Sequence, residues 1–442
     1  MGQDARTGTG ERCVRWADRL LGHYLHSVFT RQMRFELGGP VALPEATQSG
    51  PDVLYIHVPF CESLCPFCSF HRVLLNRDRA KTYFRALRGE IRCVAERGYH
   101  PSVVYVGGGT PTALTEELCE TLVLVRGLFP VQQISIETNP NHLREEVFGT
   151  LKQVGVNRVS VGVQSFDDRL LRAMGRYDSY GSGEQIAQRL FEAGGRFDTL
   201  NADMIFNLPG QTAQSLQQDV HILRDLIGID QVSWYPLMTS RRTGSAMRHT
   251  MGAYSLENER LCYDLIRQSM GDCYQLSSVW CLSRKSGLVD EYIAADTDYI
   301  GVGSGSFSYL NGVMYANTFS LRRYARLIDE RGSAITALRP LSLRDQAYYD
   351  MVMTLFGLNM DVNTLQRKYR GRLHRLLWKE LLLLRLTGAV HTEGGQMRLT
   401  RRGQYQWVIT MREFFTGINN FRDQMRHQVR AELDILDPPA GY

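Results

Sequence analysis

The sequence lacks any apolar run long enough to cross a membrane. Its longest aliphatic block, Leu381–Leu384, stops at Arg385 and falls far short of the roughly 20 residues that a spanning helix needs. The first residues carry Arg6, Arg12 and Arg15 without a continuous apolar stretch, which is not the pattern of a signal peptide. We therefore expect neither a membrane span nor secretion.

Paired cysteine spacings and a strong charge bias are also missing. The chain has nine cysteines, an odd number that indicates a reducing compartment, so we expect a cytoplasmic protein. A net charge of +5 over 442 residues gives no reason to expect a nucleic-acid partner, although it would not repel an anionic substrate. With 43% hydrophobic and 22% charged residues, the composition is that of a globular protein, and the length predicts two or three domains.

Short apolar runs alternate with helical patterns between residues 53 and 236. Six runs are predicted strands: Val53–Val58, Val103–Gly107, Gln133–Glu137, Arg158–Val163, Leu200–Phe206 and Gln231–Pro236. The helical patterns between them cover Ala80–Arg97, Thr115–Phe129, His142–Val154, Asp167–Met174, Gly183–Ala193 and Thr212–Ile227. Successive βα units predict an α/β fold with a parallel sheet and right-handed crossovers.

Four regions are expected along the chain. Residues 1–50 read as an amphipathic helix, about Glu11–Phe35, followed by a linker, and residues 51–245 hold the βα core. Residues 246–340 contain the Gly- and aromatic-rich stretch Asp296–Asn317, which suggests strands that close over a site. Residues 341–442 are helical, with a Gly-turned hairpin inside Leu386–Trp407, and predict a helical, winged-helix-like C-terminal domain.

Three cysteines lie close together in the segment YIHVPFCESLCPFCSFHR. Cys61, Cys65 and Cys68 form a C-x₃-C-x₂-C set. Zinc does not fit, because a structural zinc site usually needs four ligands and no Cys or His pair follows at finger-like spacing. Three clustered cysteines cannot pair as disulfides, which leaves unrelated buried thiols or an iron–sulfur cluster. Three thiolates would leave one iron of a [4Fe–4S] cube open to bind substrate.

With its flanks, this segment resembles the radical S-adenosylmethionine (SAM) superfamily. The resemblance implies a partial (β/α)₆ barrel, a [4Fe–4S] cluster on the three cysteines, and SAM chelated at the open iron through its amino and carboxylate groups. In the family, one electron from the cluster cleaves the sulfonium and yields a 5′-deoxyadenosyl radical, which abstracts hydrogen. A reducing electron-transfer protein of the flavodoxin or ferredoxin type is the implied partner.

Residues that follow the predicted strands resemble one branch of that superfamily. From about Tyr55 to Pro236 the motifs are similar to those of the oxygen-independent coproporphyrinogen III oxidases, the related heme chaperones and the anaerobilin synthases. The oxidases bind two SAM molecules. The resemblance assigns to the first SAM the residues Tyr55, Gly107 and Glu137. It assigns to the second SAM, or to the space between the two, the residues Phe67, Gly108, Gly109, Gln164, Arg176 and Asp203. Thr110 completes the GGGTP motif, while Pro236 and Phe307 occupy further contact positions and differ in type from the oxidase residues.

Departures from the oxidase pattern narrow the expected function. The oxidases have a fourth cysteine where this chain has Phe70, whereas the chaperones and anaerobilin synthases have Phe there. The pattern Gly303–Gly305, Asn311-Gly312 and Asn317 is similar to that of the anaerobilin synthases, although Phe307 and Ser308 stand where that group has paired glycines. The resemblance therefore implies a two-SAM enzyme that methylates or otherwise modifies a tetrapyrrole or similar planar substrate. A heme chaperone and a coproporphyrinogen oxidase are the alternatives.

Residues that would contact the substrate are less well defined. His57, His71 and His249 could bind a heme iron, since histidine is a common axial ligand. The segment Gly301–Asn317 is predicted to cover the substrate pocket, with Phe307 offering a flat face to a macrocycle. Its period-two alternation also fits strands packed in the core.

Overall fold

The computed structural model describes residues 4–47, 50–285, 298–430 and 432. Strands β1 to β18 are, in chain order, Glu36–Val41, Val53–Val58, Phe60–Cys61, Val73–Leu74, Val103–Gly108, Gln133–Thr138, Arg158–Gln164, Thr199–Phe206, Gln231–Pro236, Gln275–Leu276, Cys281–Ser283, Tyr299–Val302, Phe307–Leu310, Val313–Asn317, Ile335–Pro340, Asn359–Asp361, Val390–Glu393 and Gln396–Leu399. Helices α1 to α16 are Asp4–Gln32, Arg77–Glu96, Thr115–Leu128, Glu145–Gln153, Asp168–Ala173, Tyr177–Tyr180, Gly183–Ala193, Ala213–His221, Arg241–Thr250, Leu256–Met270, Leu321–Arg331, Leu343–Phe356, Val362–Lys368, Leu373–Leu376, Trp378–Leu386 and Arg401–Gln428.

A parallel sheet forms the centre of the molecule. All six predicted strands are present as β2, β5, β6, β7, β8 and β9, hydrogen-bonded in that order. A seventh parallel strand, β12, lies beside β2. Antiparallel strands extend both edges, so the whole sheet has 13 strands in the order β1-β15-β14-β13-β12-β2-β5-β6-β7-β8-β9-β11-β10. The predicted α/β architecture with a partial barrel is confirmed.

The expected N-terminal linker contains a strand that the sequence did not indicate. β1, with the sequence ELGGPV, pairs antiparallel with β15. Glycine and proline are depleted in strands, which is why this segment reads as a linker. Proline is tolerated at a sheet edge, and β1 is an edge strand of the 13-stranded sheet.

The helices predicted in the βα core are also present, with small shifts at their ends. The N-terminal helix α1 begins at Asp4 and ends at Gln32, earlier than the predicted limits of about Glu11 and Phe35. The largest difference concerns the pattern over 212–227, which divides into α8 and a π-helical segment, Ile222–Ile227. Gly228, at φ +66°, ends that segment in the left-handed conformation that glycine adopts without strain.

The C-terminal region is helical around a small antiparallel sheet of order β16-β18-β17. α1 packs along α16, where the rings of Phe29 and Phe414 meet edge to face at 5.4 Å. One hydrophobic core runs from Leu25 of α1 through the parallel strands to Phe414. This core includes residues of all four expected regions, and the boundaries between those regions remain a prediction. Asp296 lies outside the described residues. Within the described ranges, no helix is long and apolar enough to span a bilayer.

Candidate active site

A cavity of about 200 Å³ lies at the carboxyl ends of the parallel strands. It brings together twelve of the fifteen residues that the sequence singles out, namely Cys61, Cys65, Phe67, Cys68, Gly108, Gly109, Thr110, Glu137, Gln164, Arg176, Asp203 and Pro236. Tyr55, Gly107 and Phe307 are not among its lining residues. Ends of parallel strands are where α/β proteins usually place their ligand sites.

The cysteine loop is held in place by backbone contacts. Cys61 ends β3, which pairs with β4, and the amide of Leu75 donates to the Cys61 carbonyl at 2.8 Å. The amide of Cys68 donates to the Cys65 carbonyl at 3.2 Å, and Nη2 of Arg72 donates to the same oxygen at 2.6 Å. The loop therefore presents its thiols to the cavity from a fixed backbone.

A buried thiol needs a positive charge beside it to become the thiolate that binds metal, and the iron ions of a cluster would supply that charge. Burial raises the pKa of the Cys61 thiol to about 12, and the neighbouring Cys68 adds to that rise. Two donors face the sulfur atoms, since Oγ1 of Thr110 lies 3.7 Å from Cys61 Sγ and Nη1 of Arg176 lies 3.4 Å from Cys65 Sγ. Hydrogen bonds to sulfur are among the features that set the potential of an iron–sulfur cluster.

A single metal ion fits the described residues less well. No group of three or more His, Cys, Asp or Glu side chains in the described ranges converges on one such ion. A cubane cluster does not require that convergence, because each thiolate binds a different iron. The donor set is therefore compatible with the cluster that the spacing predicts.

The glycine run allows β5 and the turn after it to lie close to β2 and to the start of the cysteine loop. A Cβ on Gly108 would lie 2.7 Å from the His57 ring, and one on Gly109 would lie 2.6 Å from the Phe60 carbonyl oxygen. Gly107 stays behind the cavity, where a Cβ would meet the Glu137 carboxylate at 2.7 Å. The amide of Gly108 donates to Glu137 Oε2 at 2.9 Å and that of Gly109 donates to the Val58 carbonyl at 2.8 Å. The contacts with SAM that the resemblance assigns to these glycines remain a prediction.

Glu137 is oriented from two sides. Besides the Gly108 amide, the hydroxyl of Tyr105 donates to Oε1 at 2.6 Å. The ring of Tyr55 stacks on Tyr105 with centroids 5.9 Å apart. Tyr55 therefore supports the Glu137 carboxylate through Tyr105, from outside the cavity lining.

Arg176 joins the strand ends to the cysteine loop. Its Nη2 donates to the Gly162 carbonyl at 2.5 Å and to Asn139 Oδ1 at 3.3 Å, while Nη1 faces Cys65 Sγ. The Asn139 amide in turn donates to Thr110 Oγ1 at 2.8 Å. A polar chain thus runs from Arg176 to Cys61 through two side chains.

Gln164 has a strained backbone at the end of β7. Its φ is +75°, and the register with β8 shifts between Gly162 and Gln164. Left-handed backbone at a residue other than glycine is costly and concentrates at functional sites. Asp219 of α8 holds the following turn, because Oδ2 accepts from the Ser165 hydroxyl at 2.9 Å and Oδ1 from the Phe166 amide at 2.8 Å.

Asp203 lines the cavity and also links two strands. Oδ2 accepts from the Ser160 hydroxyl and Oδ1 from the Asn201 amide, both at 2.8 Å. These partners offset part of the cost of placing a carboxylate inside the sheet. Its predicted contact with a second SAM remains a prediction.

The segment Gly301–Asn317 does not line the cavity, contrary to expectation. The Phe307 ring packs 6.0 Å from Phe35 and 5.7 Å from Phe421, which matches the alternative of strands packed in the core. Gly303 and Asn317 bind a buried carboxylate instead. Glu90 Oε2 accepts from the Gly303 amide at 2.7 Å, and Oε1 accepts from Asn317 Nδ2 at 2.8 Å.

The three histidines do not face the cavity. Both ring nitrogens of His57 have partners, with Nδ1 2.8 Å from the Tyr55 hydroxyl and Nε2 2.9 Å from the His71 carbonyl. Burial lowers the pKa of His57 to about 4, and the His71 ring stacks beside it at 5.8 Å. His249 is exposed on α9. Their predicted role as heme ligands gains no support from these positions.

Helix α16 contributes a wall of the cavity that the sequence does not indicate. Phe415, Asn419 and Arg422 line the cavity, and their i, i+4, i+7 spacing places them on one face of a helix. Trp280, from the expected barrel-closing region, lines it too. The helical spacing was visible in the sequence, but nothing local indicated which face would meet the distant cysteine loop.

Comparison with known proteins agrees with this geometry. The model of the radical SAM superfamily matches residues 55–223. The heme chaperone HemW of Bacillus subtilis (strain 168) is 28% identical over 368 residues, covering 79% of this chain and 95% of the chaperone. HemW of Mycobacterium tuberculosis (strain ATCC 25618 / H37Rv) is 30% identical over 316 residues, covering 67% of this chain and 78% of the chaperone. The solved structure of coproporphyrinogen III oxidase (HemN) from Escherichia coli superposes with a TM-score of 0.69 at 24% identity, covering 88% of this chain and 93% of that one.

Proposed function

Because the chain belongs to the radical SAM superfamily, in the branch that includes HemW and HemN, we propose that it cleaves SAM at a [4Fe–4S] cluster and acts on a tetrapyrrole. The cluster would be held by Cys61, Cys65 and Cys68. When bound, it supplies the electron that cleaves the sulfonium of SAM.

One observation carries this proposal: a single cavity holds the three cysteines together with Glu137, Gln164, Arg176 and Asp203. These groups come from the cysteine loop, from strands β6, β7 and β8, and, for Arg176, from the turn between α5 and α6. An unrelated set of buried thiols would not require that convergence. The cavity also has aromatic side chains in its lining, Trp280 and Phe415 among them, which suit a flat macrocycle.

The side chains around the cavity would position the reactants. Glu137, fixed by Tyr105 and Gly108, can accept hydrogen bonds from the cationic amino group of a first SAM. Arg176 fixes Cys65 and the strand ends, and Asp203 can accept from the ribose hydroxyls of a second SAM. Buried apolar walls limit the access of water to a radical. The radical chemistry itself would be carried out by the bound cofactors.

We propose more specifically that the reaction is methylation of the tetrapyrrole. The resemblance of the C-terminal half to the anaerobilin synthases supports it, with a second SAM supplying the methyl group and the deoxyadenosyl radical activating it. Phe70, in place of the fourth cysteine of the oxidases, argues against decarboxylation. A flavodoxin or ferredoxin type protein would deliver the electron.

A heme chaperone is a second candidate. The match with B. subtilis HemW covers 95% of that protein, so almost all of the chaperone has a counterpart in this chain. The chaperone would keep the cluster and hand heme to a client unchanged.

The reaction products distinguish the methyltransferase, the heme chaperone and the oxidase. The protein, reconstituted with iron and sulfide without oxygen, is incubated with SAM, reductant and either heme or coproporphyrinogen, and nucleosides and tetrapyrroles are analysed by mass spectrometry. We expect 5′-deoxyadenosine, S-adenosylhomocysteine or methylthioadenosine, and a methylated or opened macrocycle. Heme recovered intact and transferable to an apo-protein would identify the chaperone, and carbon dioxide release would identify the oxidase. Absence of SAM cleavage with either substrate would contradict the enzyme assignment.

A further inference from the structure

Helix α9 carries an exposed basic surface beside the cysteine loop. We propose that this α9 basic surface, formed by Arg241, Arg242 and Arg248, docks an acidic one-electron donor protein that carries a flavin or an iron–sulfur centre. The inference rests on the proposed function, because SAM cleavage needs an electron, and it names the surface through which that electron arrives.

Helix α9 packs directly against the cysteine loop. The hydroxyls of Ser69 and Thr243 lie 2.8 Å apart, and Ser69 follows Cys68 in the chain. Cys68 is half-buried, whereas Cys61 and Cys65 are buried. Of the three cysteines that would hold the cluster, the most accessible one therefore lies next to α9.

The α9 basic surface is exposed to solvent. Gly244 and Met247 are the buried residues of α9, while its three arginines are exposed. With about 3.6 residues per turn, the arginines fall within an arc of about 120°. A helix is about 10–12 Å across with its side chains, so a protein seated on this arc would lie roughly one helix diameter from the loop. Electron transfer slows steeply with distance, which favours a donor at this short separation.

The charge of this stretch is positive. No aspartate or glutamate occurs between Asp230 and Glu257 in the sequence. Asp423 of α16 reaches the first turn of α9, where its Oδ2 accepts from the Arg242 amide at 3.3 Å. Three exposed guanidinium groups beside one carboxylate leave the surface net positive, which steers an acidic protein toward it. Three arginines are too few for a typical nucleic-acid site, which neutralises about 6–10 phosphates.

Another side of the cysteine loop carries mixed charge. Glu62 is exposed in the loop itself, and Asp178 is exposed beside Ser179, whose hydroxyl donates to Ser63 at 3.1 Å. The exposed Arg172 of α5 lies nearby in the chain. An acidic protein is repelled by the two carboxylates, so the charges direct it to α9.

Binding of an acidic flavodoxin tests the inference. Oxidised flavodoxin is titrated calorimetrically into the reconstituted full chain and into two triple variants in which the arginines of the α9 basic surface become glutamine or lysine. The control variant removes the same charge from exposed positions of the C-terminal region, Arg370→Gln, Arg375→Gln and Arg398→Gln. We expect the glutamine triple to bind about tenfold more weakly at low ionic strength, and the lysine triple and the control to bind as the parent does. Loss of positive charge at the start of a helix does not oppose its dipole, so the glutamine triple should fold.

The rate of cluster reduction is the second measurement. In stopped flow without oxygen, reduced flavodoxin loses one electron and the cluster gains it. We expect this step to be about tenfold slower in the glutamine triple, whereas dithionite, which is too small to need a docking surface, should reduce both proteins equally fast. Rising ionic strength should slow the reaction of the parent with flavodoxin toward that of the glutamine triple.

Each contrary outcome has a separate meaning. Equal binding and equal reduction by flavodoxin in the parent and the glutamine triple would overturn the inference, as would an equal loss in the control. Slower reduction by dithionite in the glutamine triple would show that the arginines support the cysteine loop instead. Tighter binding of duplex DNA than of flavodoxin would assign the surface to nucleic acid. If dithionite and SAM give no 5′-deoxyadenosine in the parent, the proposed function fails, and flavodoxin binding still decides the inference.

Discussion

Cys61, Cys65 and Cys68 differ from the other described cysteines in their surroundings. Thr110 and Arg176 face the sulfurs of the first two, whereas Cys93 and Cys119 lie on α2 and α3 outside the cavity lining.

We expect Cys68→Ala to strip most iron and abolish SAM cleavage, because a cube held by two thiolates loses a ligand that no other described side chain at the cavity replaces. Iron content and 5′-deoxyadenosine formation measure the effect. Cys93→Ala and Cys119→Ala are the matched controls and should keep both. Full iron and activity in Cys68→Ala would contradict the assignment.

Asp203 combines a link between strands with a position in the cavity lining. We expect Asp203→Ala to weaken the second SAM by roughly 1–3 kcal/mol, the cost of a lost charged hydrogen bond. Equilibrium dialysis without oxygen should give two SAM sites in the parent and one in the variant. Ser160→Ala removes a partner of Asp203 but keeps the carboxylate, so it should retain two sites. A single site in the parent would refute the two-SAM mechanism.

Substitution of Phe307 tests whether β13 belongs to the core. Because its ring packs against Phe35 and Phe421, we expect Phe307→Ala to lower the free energy of unfolding by about 3 kcal/mol. Urea unfolding measures this loss, and activity per folded molecule should stay near that of the parent. A sharp fall in turnover at an unchanged unfolding midpoint would restore the ligand contact that the sequence suggested.

At the scale of elements, the turn after β7 depends on one buried carboxyl group. Burial raises the pKa of Asp219 to about 7, against 3.8 for the free side chain. The folded chain therefore holds a proton between about pH 4 and pH 7 that the unfolded chain has released. The stability that this group contributes is complete below about pH 4 and is lost as the pH rises toward 7.

We expect Asp219→Asn to flatten the decline of Tm between pH 5 and pH 7.5, because asparagine is neutral and can still bind Ser165 and Phe166. Thermal unfolding across that range measures the effect. The exposed Asp198→Asn control should leave the slope unchanged. An equal slope in Asp219→Asn and the parent would contradict the raised pKa.

Elements with a strong periodic pattern were predictable, and those determined by distant partners were not. The parallel strands are buried on both faces, so their apolar runs stand out in the sequence. β1 forms by pairing with β15, a strand distant in the sequence. The glycine and proline residues of β1 are unusual in strands, so its own sequence does not predict it. The same holds for residues: strand-end groups such as Glu137 follow from topology, whereas Phe307 and Arg422 depend on how α16 packs.

At the scale of the whole molecule, one core joins regions that the sequence separates. Residues 1–50 and 341–442 are expected to be separate regions, and α1 packs along α16 within a shared hydrophobic core. Composition marks no boundary there, because helices that pack on each other show the same amphipathic pattern as helices that end a domain.

The placement of α16 has a consequence for biosynthesis. The cysteine loop leaves the ribosome long before Phe415 to Arg422 are translated, and at about 5–20 residues per second the interval is roughly 20–70 s. During that time the nascent barrel has its thiols but not the wall that later lines the cavity. Until translation ends, the cysteine loop is therefore open on the side that α16 later covers.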